Sequence, residues 1–518
     1  MLNVLPPTRR WAIPRAWHAV AWCMSLVLGS LLTARAQDEP DTKKGAPPGN
    51  KGDSKPGGKS DAKGKAESDK EADAEKGAAP AAHPVDPSQT RKIAPAEVFR
   101  DERAEKLLGM EKLKSSPARP VGQSELLDFR AQAGGVNANI NQALIKQVVQ
   151  AMVGKLTDRA SVQALVDPPE NQNMHAPAVR GVHEATTTLL EPIFMAKSIK
   201  NQAFLTVYLR ALREELVPLL KNHLIPRVQA MIILGECATP EFLPLYIAQI
   251  KDKTQTIWVK LWALEGLVNI VDQGGRLSAQ DQINAAETVA GFLETESDIP
   301  WPVQLRGLEV LSAMRQGYNP TRPQKATMAN AAMALLADAS AKVEVRSEAA
   351  RALGQMPIGA AVSKYNYPLV AHAAGQLATE LGNRVGTTYN VNQDKARYLA
   401  SLLIGPVYQA FDGVPGTRDS GLLHATGGAS ATYIQKVFDL IKPVVQGTVD
   451  LLSAGQRQAK DRQKELVVHV AALKEYLEKN QPPDRHLVPD GAAFPIALLP
   501  DIGLGPADAP LAGARKNK

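Results

Sequence analysis

Four ten-residue segments carry one pattern, and this recurrence constrains the fold more than anything else in the chain. They are Pro226-Arg-Val-Gln-Ala-Met-Ile-Ile-Leu-Gly235, Val259-Lys-Leu-Trp-Ala-Leu-Glu-Gly-Leu-Val268, Val303-Gln-Leu-Arg-Gly-Leu-Glu-Val-Leu-Ser312 and Val345-Arg-Ser-Glu-Ala-Ala-Arg-Ala-Leu-Gly354. Each has a basic or amide residue second, a small residue fifth and an aliphatic residue ninth. The fifth residues are Ala230, Ala263, Gly307 and Ala349, and a small side chain there lets neighbouring helices approach closely. The segments start 33, 44 and 42 residues apart, about the length of one helix pair in a stacked array. Room for a second helix remains after each, near Pro240 to Lys251, Ser278 to Glu294, Arg322 to Ala337 and Tyr365 to Leu381.

The chain around these segments is patterned for helix. Ile257, Leu261, Leu264, Val268 and Val271 step by four and three along one stripe, which is helical periodicity. From about Ala94 onward no convincing run of alternating β-branched residues occurs. Ser124 with Glu125, and Ser278 with Asp281, read as helix starts. Gly274-Gly275 and Pro357 read as stops. Asn139 to Leu156, Val179 to Ile199 and Asn201 to Leu220 read as further helices, divergent pairs or an amino-terminal cap. Pro192, Pro218, Pro244, Pro406 and Pro443 fall inside helical patterns and are expected to kink or break them. Leu466, Val470, Leu473 and Leu477 form a stripe on a charged helix that suits a terminal cap. A dimerising coiled coil is the alternative.

The residues from about Leu224 to Leu381 resemble the HEAT-repeat family, especially the short variety found in phycobilisome lyases. Val345 to Gly354 looks like that family's first helix. Thr239-Pro-Glu-Phe-Leu-Pro-Leu-Tyr-Ile-Ala-Gln-Ile-Lys-Asp252 looks like its second helix with the closing Asp. Trp262 and Arg306 depart from the pattern. The resemblance implies an all-α, HEAT-like α-solenoid of stacked helix pairs, a curved rod that usually offers a concave surface to a protein partner. It speaks to architecture and not to a job.

The amino terminus reads as an export signal. Arg9, Arg10 and Arg15 precede an apolar run from Ala16 to Leu32, and Ala34-Arg35-Ala36 is a small-x-small triplet. This order is that of a secretory signal cut between Ala36 and Gln37. The run is shorter than the roughly 20 apolar residues of a spanning helix, so no stable membrane span is expected after cleavage. Gln37 to about Thr90 is made almost wholly of Lys, Asp, Glu, Gly, Ala, Pro and Ser, and is expected to stay disordered as a solvated tether. The expected organisation is therefore a signal over 1–36, a linker over 37–93 and a helical region over 94–223. HEAT-like repeats over 224–383, helices over 384–480 and an irregular tail over 481–518 follow.

Charge and cysteine content remove whole classes of function. The chain has 60 Lys+Arg against 53 Asp+Glu, a balance of +7. Four arginines and no acid lie in residues 1–36, so the remainder carries +3. No Lys/Arg cluster is interleaved with aromatics, so no nucleic-acid partner is expected. Beyond the signal only Cys237 remains, which allows neither an intramolecular disulfide nor a cysteine-rich zinc site.

The chemical motifs are fragments. His183-Glu184 starts like the zinc-protease helix, but Thr187 stands where the second histidine belongs. His175 lies eight residues upstream with no acidic cluster beside it. Gly428-Ala-Ser430 lacks the spacing and the strand of a nucleophile elbow. His424-Ala-Thr-Gly-Gly428 reads as a turn. Gly503-Leu-Gly505 precedes Pro506 rather than a helix start, so it is no phosphate loop. Trp258, Trp262 and Trp301 could form an aromatic patch, or pack as core. No catalytic, cofactor or metal residues are assigned. The expected function is an exported, non-catalytic scaffold for a protein partner, with the binding surface on the second helices. The alternatives are a cofactor-attachment helper and a self-associating envelope protein.

Overall fold

Helix follows helix from Glu102 to Lys479, because side-chain caps and glycines punctuate an almost continuous apolar periodicity. The computed structural model describes residues 101–502 apart from 118–119, 136–138, 167–176, 297, 359–361, 363, 426–427, 497–498 and 500–501. These residues lie within one compact unit, Arg100–Lys518. Ala36, Gln37 and the expected signal, the whole linker, His175 and the Gly503-Leu-Gly505 run lie outside the described residues. Among the described residues the fold is all-α, and the only β pairing is one isolated bridge between His486 and Ala493. No described helix is long and apolar enough to cross a membrane.

The first half comprises α1 (Glu102–Glu105), α2 (Gln123–Gly134), α3 (Gln142–Leu156), α4 (Arg159–Val166), α5 (Pro177–Ser198) and α6 (Gln202–Leu216). The four patterned segments lie in α7 (Leu224–Cys237), α9 (Ile257–Asp272), α11 (Trp301–Met314) and α13 (Val343–Gln355). Between or after them come α8 (Leu243–Lys251), α10 (Ala279–Thr295), α12 (Thr327–Ala337) and α14 (Tyr367–Tyr389). The chain closes with α15 (Gln393–Leu402), α16 (Tyr408–Asp412), α17 (Gly428–Ser453) and α18 (Gln456–Lys479).

Cap chemistry sets most of these boundaries. The Thr256 hydroxyl accepts from Val259 N at the start of α9, and Ser278 accepts from Asp281 N at 3.1 Å at the start of α10. Each satisfies a first-turn N–H that has no partner inside its helix. Ser124 is not a cap. The helix starts one residue earlier, at Gln123, because the Glu125 carboxylate reaches back to accept from Gly122 N at 2.7 Å. α9 ends before Gly274, whose φ of +80° glycine adopts without strain. The prolines divide by position. Pro192 and Pro443 sit inside continuing helices, and Pro218 lies where α6 tightens into a 3-10 turn, Val217–Lys221. Pro406 falls in a π turn, Leu403–Val407. Pro244, expected inside a helix, lies in the first turn of α8. There its missing N–H has no intrahelical acceptor to lose.

Two rows of contacts organise the block. α7, α9, α11 and α13 pack on one another in succession, and α13 packs on the Leu403–Val407 turn and α16. α8, α10, α12 and α14 pack in a second succession, and α9 packs on α8, α11 on α10 and α13 on α12. Ala230, Ala263 and Ala349 are fully buried, and a Cβ on Gly307 would lie 3.0 Å from Leu293 of α10. The tenth position matters too. A Cβ on Gly235 would stand 2.9 Å from the Trp262 carbonyl of α9, and one on Gly354 would strike the backbone of Ala410 in α16. Glycine at these places lets adjacent first helices touch backbone to backbone.

The row is closed at both ends. α5 and α6 pack on α7 at one end. At the other, α18 packs on α17 and α14, burying Leu466, Val470, Leu473 and Leu477 completely inside the chain. That stripe is therefore not available to pair with a second copy. After Asn480 the described backbone is irregular, yet it packs: Asn366 N donates to Leu487 O at 2.9 Å, and Leu487 and Val488 are buried.

Candidate functional site

The second residue of each segment is the first charged position to place. Arg227 donates to Asn222 O at 3.0 Å and to Gln255 Oε1 at 2.9 Å. Lys260 pairs with Glu296 at 2.9 Å and lies 5.2 Å from the centre of the Phe292 ring. Arg346 pairs with Glu380 at 2.5 Å and donates to Leu336 O at 3.3 Å. All three bases are buried, and each ties a first helix to the end of a second helix or the loop after it. A buried charge held this way fixes register, because removing its partner would leave it uncompensated. Burial works against the Glu296 carboxylate, but bonds from Lys260 and Arg103 outweigh it and hold its carboxyl below the usual range.

Residues 101–116 form a strap across the same edge. Asp101 accepts from Ile257 N at 2.7 Å, Arg103 pairs with Glu296, and Leu107 O accepts from Leu224 N at 3.1 Å. His223 accepts from Ile225 N through Nδ1 at 3.2 Å, so its Nε2 carries the proton and donates to Leu108 O at 3.0 Å. Burial lowers the His223 pKa and favours this neutral tautomer. Beside the strap a cleft of about 500 Å³ opens between α8, α9 and α10, lined in part by Lys251, Lys253, Lys260, Phe292 and Glu296. Its best-buried cation is already matched by Glu296.

A different stripe of the first helices reaches the surface in part, through half-buried Glu265, Arg306, Glu309 and Arg351, while Trp262 and Glu348 on it are buried. Positions four and seven lie on one helix face, and on α9, α11 and α13 they hold Trp262 and Glu265, Arg306 and Glu309, and Glu348 and Arg351. Arg306 bonds Glu265 of α9 at 2.8 Å and also Glu309 within its own helix. Arg351 bonds Glu348 at 2.6 Å. Glu309 and Arg306 both act on Glu348 across the α11–α13 contact. Burial, and then repulsion from Glu309, push the Glu348 carboxyl up to about 7 against the pull of Arg351 and Arg306. One turn nearer the helix starts, the same stripes carry Trp258 and Leu261 on α9, and Trp301, Pro302 and Leu305 on α11. All five are half-buried. On α7 the corresponding Ile225, Val228 and Ile232 are buried, and Gln229 bonds Thr186 of α5. The surface-reaching stripe therefore begins at α9.

The fragments of chemistry are scattered. His183 is half-buried on α5, whose neighbour Glu184 pairs with Arg180 at 3.8 Å. Ser430 is half-buried in the first turn of α17, and α17 packs on α14, α15, α16 and α18 while α5 packs on α2, α3, α4, α6 and α7. The two are not brought together. His424 is exposed in the loop before α17. Cys237 is buried with its thiol pushed up to about 12 by burial, so it is not a nucleophile at neutral pH. Trp262 is buried, unlike Trp258 and Trp301. Among the described residues no three His, Cys, Asp or Glu side chains could hold a metal ion together.

Sequence reasoning missed the charged stripe and the strap. The stripe was readable from the four segments, whose fourth and seventh residues turn from Gln229 and Ile232 to charge in the third and fourth. The strap had no periodic signal. No family model, curated protein or solved structure matches this chain.

Proposed function

We propose that this chain is an exported, non-catalytic scaffold whose helix pairs stack as a HEAT-type α-solenoid and whose first helices hold a protein partner. What supports the architecture is the register. The small fifth residues lie inside in every segment, and in three of the four a buried base at the second position bonds a residue of, or just beyond, a second helix. What supports the binding role is the stripe across α9, α11 and α13. It combines half-buried Trp258, Trp301 and Leu305 with arginine and glutamate, and aromatic residues with arginine are the side chains that dominate protein interfaces. The second helices were the expected location; the stripe moves the proposed surface to the first helices. The charged segment 37–93 would then act as the tether between the signal and the scaffold.

The test is retention of a partner from envelope extract by purified protein. Leu305→Asp and Trp301→Ala are expected to release a distinct partner with melting unchanged. His183→Ala and Ser430→Ala are expected to keep it. Loss of biological activity in either of the last two, with melting unchanged, would replace the scaffold reading with an enzymatic one. Retention of nothing except copies of this chain would point to a self-associating envelope protein.

A further inference from the structure

Resting on that reading of the face, we propose that its partner presents a cationic amphipathic segment, an apolar strip flanked by lysine or arginine side chains. The face is divided along the helix axes. Trp258, Leu261, Trp301, Pro302 and Leu305 form an apolar band over the first two turns of α9 and α11, all half-buried and able to lose further area on docking. Next to it, one to two turns along the same stripes, lies the charged band.

In that band carboxylates and guanidiniums are interleaved. Arg306 is divided between Glu265 and Glu309, and Arg351 is engaged by Glu348. Glu309 acts on Glu348 across the α11–α13 contact, Glu309 with a quarter of its side chain exposed and Glu348 buried. The upward shift of the Glu348 carboxyl, caused by burial and by Glu309, reports the repulsion between the two carboxylates. A cation entering above Glu309 would be attracted by that carboxylate and by the ionised share of Glu348, at a partly desolvated site where charge pairs count for more than in water. An anionic segment would meet repulsion there, so charge complementarity selects the sign of the partner while the apolar band anchors it.

The full exported protein is titrated with a Leu/Lys amphipathic peptide and with a Leu/Glu peptide of the same apolar pattern, read by calorimetry and tryptophan fluorescence. The Leu/Lys peptide is expected to saturate and the Leu/Glu peptide to show no binding. Glu309→Gln is expected to weaken the Leu/Lys peptide about tenfold, the weight of one charge-assisted bond, and added salt to weaken it further. Leu305→Asp should remove apolar anchoring while Glu475→Gln, an exposed carboxylate on α18, should change nothing. Melting curves for each variant separate lost binding from lost folding. Equal or tighter binding of the Leu/Glu peptide, or Leu/Lys binding indifferent to Glu309→Gln, would overturn the cationic partner. Failure of both peptides while partner retention from extract still depends on Leu305 would also overturn it and leave the face standing. Leu/Lys binding and partner retention that are both indifferent to Leu305→Asp would remove the face itself.

Discussion

In the block from Leu224 to Gln355 the helices are short, 9 to 17 residues, and buried bases join them, whereas α14, α17 and α18 run 23, 26 and 24 residues and meet through apolar stripes. The contrast follows from how much each helix can bury alone. A helix of three turns in the block covers only part of its neighbours, and several registers would bury similar area. Arg227, Lys260 and Arg346 remove that degeneracy, since each charge finds a partner in one register only. The longer helices need no such device: Ile434, Val437, Ile441 and Val444 on α17 face Leu466, Val470 and Leu473 on α18 over several turns, all fully buried. Their helix-to-helix polar bonds are few, such as Gln463 Nε2 donating to Gly386 O at 2.7 Å.

The largest expected effect breaks the block and spares the three-helix end. Ala349→Asp places a carboxylate at a fully buried small position, at a cost of several kcal/mol. Helicity by circular dichroism should fall partially, with an early transition absent from the parent. A single unchanged transition would show that Ala349 is not held between packed helices. Glycine substitutions sharpen the comparison. Gly235→Val pushes a Cβ against the Trp262 carbonyl, which is backbone and cannot move away, for a loss of about 1–3 kcal/mol. In the three-helix end, a Cβ on Gly382 would stand 2.7 Å from Val444 Cγ1 and 2.9 Å from Val470 Cγ2, both side-chain atoms. Gly382→Ala should therefore cost less than Gly235→Val in denaturant melts, and the reverse order would contradict the distinction.

How much of this the sequence displayed depends on whether the determining contact is periodic. The fifth-position alanines and Gly307 could be lined up because each segment repeats them, and Gly235 and Gly354 stood at the ends of two segments. The second-position bases were also visible, but not their partners. Glu296 lies past the end of α10 and Glu380 in the middle of α14, at separations of 36 and 34 residues from Lys260 and Arg346. No local pattern links such pairs. Asp101 reaching Ile257 is further still, 156 residues along the chain. The fourth and seventh residues of the first helices were equally visible, and it is the proposed binding face, not the sequence pattern, that turns on them.

Acid probes the three-helix end. The Tyr433 hydroxyl donates to Asn480 O at 3.0 Å and so accepts from His372 Nδ1 at 2.9 Å, which places the histidine proton on Nδ1. Burial lowers the His372 pKa to about 4 from 6.5. Between those values the unfolded chain takes a proton that the folded imidazole refuses. Stability is then complete above pH 6.5 and falls as the pH drops toward 4, by about 3 kcal/mol. His372→Gln should flatten that part of the pH–stability curve. A curve unchanged by the substitution would place the acid sensitivity elsewhere.

The block should show the opposite slope, through Glu348. Its carboxyl is raised from 4.5 to about 7, so between those values the folded state holds a proton that the unfolded chain has released. Stability must fall as the pH rises through that window, and the whole penalty is present above it. Glu348→Gln removes the titration while keeping the shape and a carbonyl oxygen for Arg351. Arg351 loses a charged partner, but Glu309 and Asp272 still act on it favourably. The two effects nearly offset, leaving a net gain of about 1 kcal/mol at pH 8. Below pH 4.5, where the carboxyl is protonated in both states, the variant should match the parent. Urea melts of parent and variant at pH 4 and pH 8 measure both limits. A Gln variant less stable than the parent at pH 8 would mean that the Glu348–Arg351 bond stabilises the block as an ordinary ion pair, and that the α11–α13 contact already holds all the positive charge it needs.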